Sequence, residues 1–105
     1  MDEIFIQELD KLRFTLNFPL KVNSGYRCPE YNARVSNSGR NGPHTTGRAV
    51  DLGISGEDAL SLIKASFLHT FTGIGVNQKG PVGGRFIHLD TLSTPEYPRP
   101  NLWSY

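Results

Sequence analysis

A regular alternation of apolar and polar residues in two segments, 48–54 and 85–90, constrains the fold of this chain more than any other feature. Successive side chains of a β-strand point to opposite faces, so this period is typical of strands that turn one face to a core. In the first segment Asp51 falls on the face opposite the core. The residues expected on the core face are Val50, Leu52 and Ile54.

The second segment distributes its side chains in the same way. Ile87 and Leu89 are expected to face the core. The residues expected on the opposite face are Phe86, His88 and Asp90. If the two segments pair as neighbouring strands, Asp51 and His88 lie side by side.

A second imidazole, that of His44, comes from the loop that enters the first segment. Pro43 stiffens the backbone just before it, and Gly47 lets the chain approach closely. Two imidazoles and a carboxylate could hold zinc with a fourth position left for water, which is the arrangement of a catalytic zinc site. Buried histidine and aspartate side chains also occur as ordinary hydrogen-bonded partners, and the residue types alone leave both interpretations open.

Length and charge agree with such a site and exclude other classes. A chain of 105 residues predicts a single domain over 1–105 with a modest core. With 11 basic and 10 acidic residues and no run of either sign, it lacks the one-sided charge of a nucleic-acid or membrane-surface binder. Cys28 is the only cysteine, which excludes an internal disulfide and a thiolate zinc site. The acidic start predicts no signal peptide and a cytoplasmic protein as synthesised, and no stretch is long enough for membrane insertion.

Helical spacing near the start predicts a first helix that ends before Pro19. The apolar residues with this spacing are Phe5, Leu9, Leu12 and Leu16. The segments predicted to follow are a strand over 20–23, a short helix over 30–35 and a loop over 36–42.

A third helix is predicted after Ser55, which resembles a capping box together with Asp58, and it should end near His69. The expected buried stripe of this helix is Ala59, Ile63 and Phe67. Strands over 73–76 and 85–90 are expected to pair across a glycine-rich connection, and the proline-rich tail to wrap the surface. The predicted fold class is α+β, a small mostly antiparallel sheet flanked by helices.

Two other side chains have both a functional and an ordinary interpretation, and a third has only an ordinary one. Arg27 lies in a turn before a helix, where a guanidinium could clamp a carboxylate or simply face solvent. Asp90 could accept a hydrogen bond from a ligand imidazole, act as a general base, or cap the end of a strand. His69 has no partner motif and follows a helix, so we expect it to lie outside the site.

The order of these motifs resembles the zinc D-Ala-D-Ala carboxypeptidase family over nearly the whole chain. The segments that carry the resemblance are 24–27, Asn32, 44–51, 86–90 and 99–103. The family includes peptidoglycan carboxypeptidases, dipeptidases and endopeptidases, among them phage endolysins, and it shares its fold with the Hedgehog signalling domain. The resemblance implies a fold of this Hedgehog/DD-peptidase type. It also implies His44, Asp51 and His88 as zinc ligands, and Arg27 as the residue that contacts the substrate carbonyl or carboxylate.

One position departs from the best-known members of the family. Many of them carry an acidic base three residues before the last zinc histidine, where this chain has Arg85, which cannot accept a proton. The short members that it resembles most have the pattern His-x-Asp at the third ligand, so Asp90 is the first candidate for the base. If Asp90 only orients His88, water activation would fall to zinc alone, and activity would be weak or lost.

The resemblance therefore implies a zinc-dependent peptidase acting on peptidoglycan stem peptides, as a carboxypeptidase or as an endopeptidase of endolysin type. Asp90 and Arg27 would be its catalytic residues, and Tyr26, Arg27 and Trp103 would contact the substrate, although aromatic residues at such places also serve packing. Two alternatives stay open. The first is an inactive zinc-containing binding module, and the second is a lysis or structural component of a phage or prophage that acts only after assembly or cell lysis. No nucleic-acid partner is expected, and the sequence does not indicate an oligomeric state.

Overall fold

Two helices and a five-stranded sheet form the part of the chain that is described. The computed structural model describes residues 2–26, 31, 34–35 and 42–105. The helices are α1 Glu3–Leu16 and α2 Gly56–Ser66. The strands are β1 Lys21–Ser24, β2 Ala49–Gly53, β3 Gly73–Asn77, β4 Phe86–Asp90 and β5 Asn101–Ser104. Short 3₁₀ turns cover Pro43–Thr46 and Val82–Gly84.

Two of the predicted segments fall largely outside these residues. Of the predicted helix 30–35, Tyr31, Arg34 and Val35 are described, and they are helical. Of the predicted loop 36–42, only residue 42 is described.

The sheet has the strand order β1-β2-β4-β3-β5. β4 pairs antiparallel with both β2 and β3, and β1 pairs antiparallel with β2. β5 pairs parallel with β3. The predicted α+β fold class is confirmed, and the two alternating segments are indeed neighbouring strands.

One face of the sheet packs against both helices. The buried helix residues in this layer are Phe5 and Leu12 of α1, and Ala59, Leu62 and Ala65 of α2. The sheet contributes Val50, Leu52, Ile74, Ile87 and Leu89. Burying each of the larger apolar side chains contributes about 1.5–3 kcal/mol relative to exposure, so this layer holds the sheet and helices together. The apolar positions of both alternating segments face this core, as predicted.

The start of α1 is tied to the chain that enters β2. Asp2 caps the helix by accepting a hydrogen bond from the Ile4 N–H at 2.9 Å. The Asp2 N–H donates to the Gly47 carbonyl at 2.9 Å, and Arg48 Nε donates to Asp2 Oδ2 at 3.0 Å. These bonds anchor the turn that follows His44 against the helix.

The prediction for the tail is wrong in one respect, because residues 101–104 form strand β5 instead of only wrapping the surface. Asn101 and Trp103 pair with Gly73 and Gly75 of β3. The segment is short and follows several prolines, so its own sequence carries little strand signal. Its structure depends on pairing with a strand far away in the sequence.

Two details of α2 also differ from the prediction. Its buried residues are Ala59, Leu62, Ala65 and Ser66, whereas Phe67 is 68% exposed. The helix ends at Ser66, three residues before the predicted end at His69, and Phe67 is its C-cap, which lies outside the buried stripe. Ser55 is the N-cap, but its side chain makes no capping hydrogen bond, so the predicted capping box is not formed.

Among the residues that are described, no helix combines the length and the apolar character needed to cross a membrane.

Candidate metal centre

The face of the sheet opposite the helices carries buried ionisable side chains. Asp51 of β2 and His88 of β4 are direct cross-strand partners. Such partners place their side chains next to each other on one face, and His88 Nδ1 lies 3.0 Å from Asp51 Oδ1. The predicted juxtaposition of these two residues is therefore present in the structure.

His44 reaches the same carboxylate from the 3₁₀ turn before β2. Gly47 ends this turn with φ 75°, a left-handed conformation that favours glycine and that redirects the chain into the strand. His44 Nε2 lies 3.3 Å from Asp51 Oδ2, and its Nδ1 lies 2.9 Å from the Gly25 carbonyl oxygen. The rings of His44 and His88 are 5.1 Å apart and nearly perpendicular. The Asp51 carboxylate thus has one imidazole at each oxygen.

These three side chains form a group that could hold a metal ion. Each of His44, Asp51 and His88 offers one ligand atom, and the three atoms lie within 4.8 Å of one another. Two imidazole nitrogens and one carboxylate oxygen are a donor set that suits zinc. The second nitrogen of each ring is occupied elsewhere, by the Gly25 carbonyl for His44 and by Asp90 for His88. Because these partners can accept the other N–H of each ring, the site-facing nitrogens would present lone pairs to a metal that replaced their hydrogen bonds to Asp51, and the residues fit the metal.

The charges of the metal-free group are strongly coupled. Burial opposes ionisation of Asp51, but hydrogen bonds from His44 and His88 outweigh it and hold the pKa of this carboxyl well below its usual range. Burial also opposes the charged form of His88, yet hydrogen bonds to Asp51 and Asp90 raise the pKa of this ring. A positive charge on His88 is therefore favourable, because its ring lies between the carboxylates of Asp51 and Asp90. The same negative charges would attract a metal cation.

Asp90 lies behind His88, on the far side of the ring from Asp51. It is fully buried, and its Oδ2 lies 2.8 Å from His88 Nε2. Arg99 donates to both oxygens of this carboxylate, with Nε to Oδ1 at 2.9 Å and Nη2 to Oδ2 at 2.7 Å. Burial raises the pKa of Asp90, but hydrogen bonds from Arg99 and His88 more than offset it, so the net shift is downward. Asp90 is thus an ionised partner of His88.

Trp103 of β5 forms a wall beside the group. Its ring lies 5.1 Å from that of His88, and the guanidinium carbon of Arg99 lies 5.0 Å from the tryptophan ring. This space exists because β3 has glycine at the positions opposite. A Cβ on Gly75 would meet Trp103 Nε1 at 2.5 Å, and one on Gly73 would overlap Asp90 and Arg99.

Arg99 is the residue of this centre to which the sequence analysis gave no role. Two signals could have pointed to it. A buried aspartate on a strand needs a cationic or hydrogen-bonding partner, and Arg99 is the only lysine or arginine after Arg85. Its place became evident only with the pairing of β5.

The other predicted residues are placed differently. Tyr26 follows Gly25, whose carbonyl contacts His44, and its side chain is about half exposed. Arg27 lies outside the described residues. Arg85 Nε donates to the Gly80 carbonyl at 3.0 Å, in the connection before β4. His69 contacts Thr15 of α1 at 3.2 Å and is not part of the group formed by His44, Asp51 and His88, as expected.

The fold and the site together define a small α+β fold with a largely buried His–Asp–His group suited to a metal. The family model for peptidase M15 matches residues 3–90, and the chain belongs to this family. This match confirms the resemblance to the zinc D-Ala-D-Ala carboxypeptidases. The chain is therefore of the zinc metallopeptidase class. No curated protein and no solved structure matches the chain. The family match ends at Asp90, so Arg99 and Trp103 lie beyond it.

Proposed function

We propose that this protein is a zinc-dependent peptidase that hydrolyses peptide bonds in the stem peptides of peptidoglycan. The observation that carries the proposal is the convergence of His44 Nε2, Asp51 and His88 Nδ1, with the outer nitrogen of each histidine held by a second acceptor. Zinc bound by these residues would supply a Lewis acid for the scissile carbonyl and would activate water for attack. What supports the stem peptide as substrate is the resemblance to the zinc D-Ala-D-Ala carboxypeptidase family.

The chain's own residues divide the remaining work. His44 and His88 supply neutral nitrogen donors, and Asp51 supplies the negative charge that favours a cation over a proton. Arg27, by the family resemblance, would bind the substrate carbonyl or its carboxylate, for which a guanidinium offers paired donors. Trp103 and Tyr26 would contact the substrate, Trp103 from the wall beside His88.

For Asp90, we propose that it acts through His88 instead of taking a proton from water. Its two oxygens already accept hydrogen bonds from Arg99, and one also faces His88 Nε2. A carboxylate behind a ligand histidine fixes the ring and its tautomer, which raises metal affinity. Asp90→Asn separates the two roles. A positioning role predicts weaker zinc binding, whereas loss of turnover with unchanged zinc affinity would indicate a base.

A second candidate function is an inactive zinc-containing binding module. The observation that favours it is the engagement of both candidate positions for a base, since Asp90 is paired with Arg99 and position 85 is an arginine that bonds to Gly80. In this case the protein would bind stem peptides without cleaving them. A phage or prophage lysis component is compatible with either function, since it concerns how the protein reaches the cell wall.

The experiment measures metal content and product release on the same preparations. Zinc is determined by elemental analysis in wild type, His88→Ala and His69→Ala, the last being a histidine outside the group. Peptide fragments released from purified peptidoglycan are identified by mass spectrometry. We expect about one zinc per chain and new fragments for wild type and His69→Ala, and neither for His88→Ala. Zinc without fragments would favour the binding module, and no zinc in wild type would overturn the proposal.

A further inference from the structure

We infer that Arg99 is a positioning residue of the metal centre, which holds His88 in its metal-binding orientation through Asp90. The inference rests on the proposed function in so far as that function needs a metal at His44, Asp51 and His88. It assigns a role in this centre to the tail of the chain, beyond the segment that the peptidase family model matches.

The first step is the geometry of the pair. Arg99 binds Asp90 through two nitrogens and both carboxylate oxygens, and the two side chains are 6% and 0% exposed. A two-point contact between planar groups fixes the orientation of the carboxylate as well as its position. The Leu92 N–H also donates to Asp90 Oδ1 at 3.3 Å, so this oxygen is held from two sides.

The second step leads from the carboxylate to the ligand. Asp90 Oδ2 lies 2.8 Å from His88 Nε2, which directs the Nε2 hydrogen toward Asp90 and leaves Nδ1 facing Asp51. A neutral imidazole carries one N–H and one lone pair, so fixing the hydrogen at Nε2 fixes the lone pair at Nδ1. Arg99 therefore acts on the metal-binding nitrogen without touching it.

The third step is that the surrounding strands are shaped around this contact. Arg99 stands next to β5, and the Asn101 N–H donates to the Thr72 carbonyl at 2.9 Å just before β3 begins. Gly73 leaves room for Asp90 and Arg99, and Gly75 leaves room for Trp103, which lies against both Arg99 and His88. The tail is thus built into the centre, because Arg99 holds the carboxylate behind His88 and Trp103 lies against the ring of His88 itself.

A purely structural ion pair would have a different signature. Such a pair stabilises the docking of the tail. Its removal lowers thermal stability but leaves the metal affinity of the folded protein unchanged. A positioning role instead predicts a loss of metal affinity that depends on Asp90. The two roles are distinguished by metal binding measured on folded variants.

The experiment titrates Zn²⁺ and Co²⁺ into the full chain in competition with a chelator. The variants are Arg99→Gln, Arg99→Lys, Asp90→Asn and the double variant Arg99→Gln with Asp90→Asn. Arg13→Gln is the matched control, because Arg13 makes a similar two-nitrogen contact with Asp10 on the exposed surface of α1. Circular dichroism and the visible spectrum of bound Co²⁺ are recorded for each variant.

We expect Arg99→Gln and Asp90→Asn each to weaken zinc binding about 10–100-fold and to alter the Co²⁺ spectrum. The double variant should lose no more than the larger single loss, because both residues act on His88 along one path. It also leaves no unpaired buried charge, so unchanged zinc affinity in it would overturn the inference even if Arg99→Gln does not fold. In that case Arg99→Lys, which keeps the positive charge, reports on the arginine itself. Arg99→Lys should recover part of the affinity, since it restores the charge without the planar fork.

Wild-type zinc affinity in the folded double variant would overturn the inference. A loss in the double variant that equals the sum of the two single losses would overturn it too. These results are distinct from failure of the proposed function. A protein that binds zinc with the expected variant pattern but releases no peptidoglycan fragments supports the role of Arg99 while refuting the peptidase proposal. A wild-type protein that binds no metal refutes both.

Discussion

At the scale of single residues, His88 determines how the metal-free centre responds to pH. The pKa of His88 is raised, so its protonated ring stabilises the metal-free fold fully below about pH 6.5, the ordinary histidine value. This stabilisation is lost as the pH rises through the higher pKa of the folded state. The pKa of Asp51 is lowered, so its contribution is present above about pH 4 and is lost as the pH falls.

We therefore expect the melting temperature of the metal-free protein to be highest between about pH 4 and 6.5 and to decline above that range. A metal at Nδ1 replaces the proton there, so the decline on the alkaline side should be absent in excess zinc. Calorimetry across this pH range and above it, in EDTA and in zinc, measures both profiles. His69→Ala should reproduce them, and parallel profiles with and without zinc would contradict the expectation.

The juxtaposition of Asp51 and His88 was predictable because its signals are local. Asp51 and His88 each sit in an alternating strand, and the period of two alone places both side chains away from the core. The partner of His88 was predicted only as one of three roles for Asp90. The choice among these roles depends on Arg99, whose contact with Asp90 spans nine residues and a change of direction in the chain.

At the scale of elements, the close packing of β5 on β3 depends on Gly75. A Cβ at this position would approach Trp103 Nε1 to 2.5 Å, so Gly75→Ala should displace the indole from His88. Trp103 is the only tryptophan, and its emission therefore reports on this wall directly. We expect Co²⁺ to quench wild-type fluorescence strongly because the indole ring lies 5.1 Å from the ring of His88, a proposed metal ligand. We expect weaker quenching in Gly75→Ala.

Gly83→Ala is the matched control for this substitution. A Cβ on Gly83 would meet nothing within 4 Å, and this glycine does not adopt a positive φ. Its fluorescence and its response to Co²⁺ should equal those of wild type. Equal quenching in the Gly75→Ala variant would show that the indole does not depend on the glycine.

Strand β5 also shows where prediction from sequence stops at this scale. The antiparallel strands are recognisable because each alternates and the connection between β3 and β4 is short and rich in glycine. β5 instead pairs in parallel with β3, although β4 and the proline-rich segment separate the two strands along the sequence. Such pairing is decided by long-range contacts, for which the residues 101–104 carry no local pattern.

At the scale of the whole molecule, the two faces of the sheet have separate roles, since one packs on the helices and the other carries Asp51 and His88 of the candidate metal-binding group. Leu62 is fully buried in the helix-facing core, and Leu62→Ala should lower the free energy of unfolding by about 2–5 kcal/mol. Leu60 lies in the same helix but is 58% exposed, so Leu60→Ala should change the free energy of unfolding by less than about 0.5 kcal/mol. Urea denaturation in EDTA measures both.

Zinc should stabilise wild type and Leu62→Ala by the same amount. A ligand that binds only the folded state at 100 times its dissociation constant adds about 2.7 kcal/mol, whatever the starting stability. The increment stays equal if the core substitution does not change the zinc affinity, as for sites that share no partners. Repeating the denaturation at that zinc concentration tests this. A smaller increment in Leu62→Ala would mean that loosening the core disturbs the metal group, and the path would be β4, which carries Ile87 and Leu89 toward the core and His88 toward the metal group.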